Sequence, residues 1–143
     1  MIPSVEVYEI EIVVEPADID RLGHVNNVTY VRWVQDAAVA HWTARAPRED
    51  QERLFWVVVR HEIDYKQSAQ LGDSIQARTW VGGATRVIFE RFTELHRKAD
   101  GALLAKARTL WCPIDAETRR PVVVSAALRE QFSTASTATG DEV

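Results

Sequence analysis

Residues 18–33, DIDRLGHVNNVTYVRW, decide how this chain is read. Two acidic residues one apart, Asp18 and Asp20, precede Gly23 and the pair Asn26 and Asn27, after which the apolar pattern becomes helical. From residue 25 to about residue 44, Val28, Val31, Val34, Ala38 and Trp42 share one stripe, and Tyr30, Trp33, Ala37 and His41 widen it. A helix of this length spans roughly 28 Å, and so broad an apolar belt predicts burial on more than one side, as the central helix of the fold.

Four backbone N–H groups at a helix N-terminus lack partners within the helix, and their partial positive charge stabilises an oxygen that gains negative charge. In GHVNN, Gly23 permits a tight turn and keeps side-chain bulk away from a bound oxygen. The N–H groups of His24, Val25 and Asn26 are the expected oxyanion donors. Losing one well-placed donor of this kind costs about 3–4 kcal/mol in a transition state. Turnover also needs a nucleophile or base, and Asp18, Asp20 and His24 are within reach. Asp20, three residues before Gly23, is close enough to approach the helix start, either attacking an acyl carbonyl or activating water. Each residue also has a structural role open to it: Asp18 and Asp20 as turn caps, Asn27 as the helix cap, and His24 as a hydrogen-bonded loop residue.

Around this stretch the chain reads as an α+β fold. Residues 5–14 alternate and then become continuously apolar, predicting a strand that Pro16 ends. Residues 46–53 are charged, contain Pro47 and read as a connecting loop. Four further strands are predicted over residues 54–66, 74–81, 85–95 and 103–112, with LGD, VGGAT and KADGA as turns. The short joints make an antiparallel meander of the last three strands the economical arrangement, covered on one face by the helix. In the strand 85–95, Val87, Phe89, Arg91, Thr93 and Leu95 share one face and Arg86, Ile88, Glu90, Phe92 and Glu94 the other. Neither is purely polar, so part of the outer face is expected to meet another subunit. PIDAETRRP reads as a hairpin or loop, and SAALREQF as one or two helical turns from Ser125. Residues 1–132 are taken as one domain, and the small, polar residues 133–143 as a disordered tail.

At 143 residues and 46% hydrophobic, the chain supports one core without metal or disulfide staples. The single cysteine, Cys112, is expected to be a buried thiol. With no signal peptide and no segment long enough to cross a bilayer, the chain is expected to be cytoplasmic and not a membrane protein. A net charge of -4 without a basic stripe argues against nucleic acid as partner. A few arginines at one site still suffice to hold an anionic ligand. His24, His41, His61 and His96 are scattered, so no metal site is expected.

The run DIDRLGHVNNVTYVRWVQDA resembles the signature of hotdog-fold acyl-CoA thioesterases of the 4-hydroxybenzoyl-CoA thioesterase-like family, matched at Asp18, Asp20, Gly23, His24, Val25, Asn26, Asn27 and Tyr30. RHEIDYKQSAQLGDSIQARTWV and RTLWCPIDAETRRPVVV resemble later passages of the same family, so the likeness runs from residue 5 to about residue 132. The resemblance implies a five-stranded antiparallel sheet wrapped around the helix, Asp20 as the catalytic carboxylate, and helix-start amides as the oxyanion site. It also implies a homodimer or homotetramer with active sites formed between subunits. The substrate would be a coenzyme A thioester, or an acyl-carrier thioester, hydrolysed without a cofactor.

Tyr30, Trp56, Val58, Thr85 and Arg86 are candidates to line the acyl pocket, and Arg60, Arg86 and Lys98 to contact the phosphates of coenzyme A. Each has a plain reading beside it, as core for the apolar side chains and as surface for the basic ones. Enoyl-CoA hydration is the weaker enzymatic alternative, because Asp20 and His24 are four apart with no intervening proline. A binding module that keeps the fold without turnover is the non-enzymatic one.

Overall fold

The computed structural model describes residues 6–123 and 125–132. In chain order the elements are β1 (Tyr8–Val13), α1 (Asn27–Arg45), α2 (Arg48–Arg53), β2 (Leu54–Tyr65), β3 (Ser74–Ala84), β4 (Phe89–Arg97), β5 (Leu103–Asp115) and α3 (Ala126–Gln131). The strands form one antiparallel sheet in the order β1-β3-β4-β5-β2. The meander expected from the short joints is therefore β3-β4-β5, and β1 and β2 are the edges. Pro16 opens a single 3-10 turn, Pro16–Asp18, that takes the chain out of β1.

Asn26 caps α1, its side chain accepting the N–H of Val28. Pro47, two residues beyond the helix end, sits where continuation would need a backbone donor. The segment expected to be a loop between α1 and β2 contains the six-residue helix α2. Its first turn carries Glu49 and Asp50 and its last carries Arg53, charges that match the ends of the helix dipole. With no buried residue, α2 has no apolar periodicity by which the sequence could announce it. The predicted turns from Ser125 are α3, with Ser125 accepting the N–H of Leu128. The expected disordered tail, residues 133–143, lies outside the described residues.

The inner face of β3 buries Ile75, Ala77, Thr79 and Val81, and α1 packs chiefly on β1, β3 and β4. From the helix, Tyr30, Trp33, Val34, Ala37 and His41 are buried, whereas Val28 is 72% and Val39 58% exposed. Burial on more than one side is thus not reached within one chain. The core has two parts: one around Trp33, Leu95 and Leu104, and one around Leu54, Phe89, Leu128 and Phe132.

A polar chain runs through this core. Arg91, on the inner face of β4, donates from Nη1 to Nδ1 of His41 and to Oγ1 of Thr79, both at 3.0 Å. Because Nδ1 of His41 accepts, Nε2 carries the proton and donates to Glu6 at 2.8 Å. Burial holds the imidazole neutral, lowering its pKa from 6.5 to about 4. Thr79 in turn donates to the carbonyl of Phe92 and accepts from Thr93.

The neutral imidazole has a consequence for stability. An unfolded chain protonates His41 near its ordinary value, and the folded chain only near pH 4. Between those limits the unfolded state binds more protons, so stability falls as pH drops through that window, by about 3 kcal/mol for this group. Urea denaturation from pH 7 to pH 4 is expected to show that loss, and His41→Gln to flatten the slope. An unchanged slope in the variant would remove His41 from the account.

Candidate active site

The loop between β1 and α1 folds onto itself around two carboxylates with different surroundings. Asp18 is 3% exposed. Its Oδ2 accepts the N–H of Glu15 and its Oδ1 the guanidinium of Arg32, each at 2.9 Å. Its backbone carbonyl accepts the N–H of Asn26 at 2.8 Å. Both carboxylate oxygens are therefore committed to holding the loop against the second turn of α1.

Asp20 is half-buried, and only one of its oxygens is used. Oδ1 accepts the N–H of Leu22 at 2.9 Å and of His24 at 3.3 Å, while Oδ2 has no partner among the described residues. The Asp20 and His24 backbones are bridged at 2.8 Å, and Gly23 closes the turn at φ 84°, a conformation costly for other residues. One oxygen is anchored and the other is open, which suits a carboxylate that must attack or accept a proton. It lines a shallow depression with Ile19, Arg21, Leu22 and Asn26.

The three amides expected to be open are all engaged here. His24 N–H donates to Asp20, Val25 N–H to the carbonyl of Ala69 at 3.3 Å, and Asn26 N–H to the carbonyl of Asp18 at 2.8 Å. The helix begins at Asn27, not at residue 25, with Asn26 rather than Asn27 as its cap. The Asn27 N–H has no acceptor among the described residues, so the open amide lies just beyond the expected set.

The remaining candidates are dispersed. Tyr30 is core, its hydroxyl accepting the N–H of Ala69 at 2.8 Å, and burial raises the pKa of the phenol. Arg60 is paired with Glu62 at 2.9 Å on the outer face of the sheet. Thr85 and Arg86 lie exposed in the turn between β3 and β4, and Lys98 is paired with Glu11 at 3.2 Å. Trp56 and Val58 lie on the inward face of β2, where Trp56 lines a cavity of about 240 Å³. That cavity has walls from Trp42, Phe89, Trp111 and Phe132, and Arg91 also lines it. It abuts α1 at Ala38 and Val39, roughly 18 Å along the helix from Asn26 at about 1.5 Å per residue.

Two contributors escaped the sequence reading. Tyr65, at the end of β2, donates its hydroxyl to the carbonyl of Asn27 at 3.3 Å and so braces the helix start. Arg91 enters the cavity from a face otherwise made of Phe89, Thr93 and Leu95. A charge on an apolar face was the signal available for it.

Comparison with known proteins agrees with this architecture. Residues 14–132 match the model of the thioesterase-like superfamily. The chain is 25% identical over 88 residues to a chloroplastic acyl-[acyl-carrier-protein] hydrolase of Cuphea viscosissima, a match covering 62% of this chain and 21% of that protein. The chain thus matches about one fifth of that relative's length. Among solved structures, a DHNA-CoA thioesterase from Staphylococcus aureus superposes with a TM-score of 0.80 at 18% identity, covering 95% of this chain and 94% of the other. The protein SAV2348 from Staphylococcus aureus, solved in complex with CoA, superposes with a TM-score of 0.79 at 17% identity, covering 92% and 83%. With the helix on one antiparallel five-stranded sheet and the superfamily match spanning most of its length, the chain belongs to the thioesterase-like superfamily and has the hotdog fold.

Proposed function

We propose that this protein hydrolyses an acyl thioester of coenzyme A or of an acyl-carrier protein to a free carboxylic acid and a thiol. The observation that carries this reading is Asp20, held at Oδ1 by two backbone amides and open at Oδ2, beside the start of α1 in a member of this superfamily. Oδ2 either attacks the thioester carbon and expels the thiolate to form a mixed anhydride, which water then cleaves, or removes a proton from a water whose attack breaks the same carbon–sulfur bond; in both routes the thiolate leaves and is protonated to the thiol. The developing oxyanion is received at the helix start, where the Asn27 amide is the open donor and the helix dipole adds positive potential. The CoA complex of SAV2348 supports coenzyme A as the thiol, and the resemblance to the plant hydrolase supports an acyl-carrier thioester.

Asp20→Ala and Asp20→Asn are expected to lower kcat for thiol release by about 10²–10⁴-fold while leaving the far-UV circular dichroism unchanged. Asp18→Asn should instead lower the melting temperature more than the rate, since both of its oxygens hold the loop. Near-normal turnover in Asp20→Ala would defeat the assignment.

The working unit in this proposal is a dimer or a tetramer. Among the described residues β2 is a 12-residue edge strand paired on one side only, and Phe55, Val57 and Val59 along it are 39%, 43% and 58% exposed. A long apolar edge of this kind invites pairing with a second copy. The exposed Val28 and Val39 of α1 give a second copy further apolar surface to cover. Light scattering is expected to give at least twice the mass of one chain, and Val57→Lys combined with Val59→Lys to shift it towards the monomer. A wild-type monomer at micromolar concentration would overturn this part.

A further inference from the structure

The 240 Å³ cavity at the far end of α1 is lined by aromatic and aliphatic side chains, with two charged residues, Arg91 and Glu90, at its wall. Arg91 is 7% exposed, and among the described residues no carboxylate lies within ion-pairing distance of it. Glu90, the carboxylate next to it in sequence, is taken by Arg108 Nε at 2.5 Å and the Gly83 N–H at 3.2 Å. Among the described residues the guanidinium donates from Nη1 alone, towards neutral His41 and Thr79. Nε and Nη2 form the side-on edge that pairs with both oxygens of a carboxylate, and neither has an acceptor among the described residues.

Two of the side chains that line the cavity, Trp56 and Trp111, hold their indole nitrogens away from water. The indole N–H groups of Trp56 and Trp111 are buried and unpartnered among the described residues. The nearest counter-charge, Glu6, reaches Arg91 only through neutral His41, so the free edge of this buried guanidinium favours an anion. The cavity that Arg91 lines is larger than the roughly 150 Å³ that holds a benzene ring. Desolvation lowers the Arg91 pKa only to about 10, so the guanidinium is charged at neutral pH.

We propose that this cavity binds an apolar carboxylate, its body against Trp42, Trp56 and Phe89 and its carboxylate on the Nε–Nη2 edge of Arg91. Two sources supply that chemistry: a free acid, or the far end of a long dicarboxylic acyl group whose thioester lies at the helix start. The second source rests on the hydrolase reading, and binding of the free acid does not.

Titration of the full chain with phenylpropionate, followed by tryptophan fluorescence and calorimetry, tests the site directly. The acid is expected to bind saturably and at least about tenfold tighter than its neutral isostere phenylpropanamide, the margin of a charge-assisted bidentate pair over a neutral one. Arg91→Gln should abolish that preference, and Val39→Trp, at an exposed position lining the cavity, should weaken both ligands. If Arg91→Gln does not fold, the acid-to-amide ratio of the wild type and the Val39→Trp variant still decide. Equal affinity for acid and amide, or no binding of either at millimolar concentration, would overturn the proposal. Phenylpropionate competing with hydrolysis of hexadecanedioyl-CoA, but not of acetyl-CoA, would assign the acyl end as ligand; binding without competition would assign a free acid. Intact binding with no thiol release from any thioester would defeat the hydrolase reading and leave the cavity site standing.

Discussion

The carboxylate of Asp18 fixes the geometry on which the rest of this molecule depends. It is buried where β1 gives way to α1, and it joins three pieces of chain: the backbone leaving β1 at Glu15, the second turn of the helix at Arg32, and, through its own carbonyl, the helix start at Asn26. Arg32 is more than half exposed, so water screens that pair, and the backbone bonds carry more of the constraint than the charge does. Asp18 closes the 3-10 turn and is saturated there, whereas Asp20 lies beyond it in the following turn. Two of the loop's own amides then hold Oδ1 and leave Oδ2 open. The two acidic residues are chemically alike, and their separate roles come from what the fold has already used.

Much of this was legible before any coordinates. The change of period after Asn26, the glycine at 23 and the short joints between later strands are local signals for α1 and for the order of the β3-β4-β5 meander, but VGGAT, expected as a turn, continues β3 to Ala84, and β4 begins at Phe89 rather than at residue 85. The amides of the helix start were not legible in the same way. Whether the N–H of Val25 is open depends on the carbonyl of Ala69, which the loop between β2 and β3 brings to it. A shift of two residues in the helix start then moves the open donor to Asn27. The helix α2 escaped for a different reason, since its stability comes from end charges and an ion pair at 3.0 Å rather than from a buried stripe.

Arg91 falls between these cases. Its place on the apolar face of β4 follows from alternation alone. Its partners do not, because His41 comes from the last third of α1 and Glu6 from the chain before β1. Only the tertiary fold reveals that the nearest imidazole is neutral and accepts a hydrogen bond from Arg91 rather than competing with it. That detail matters for the cavity: Glu6 counters the charge through a hydrogen-bonded ring, at one remove, and does not occupy the guanidinium edge.

The helix thus separates two environments along its length. Its N-terminal end is polar, with an open carboxylate and an open amide; its C-terminal half borders an apolar cavity about 18 Å further on. A ligand spanning both within one chain must be long, and a short one engages only one end. The exposed flank of the cavity is formed by Phe55 and Val39, beside the free edge of β2. Suppose two copies join along that edge with their β2 strands antiparallel. The residues that border the cavity in one copy then lie towards the opposite end of β2 in the other, where Tyr65 braces the helix start. Association would shorten the path between an open carboxylate and an aromatic cavity by drawing them from different chains, so the acyl length such a protein accepts becomes a property of the interface as much as of either cavity wall.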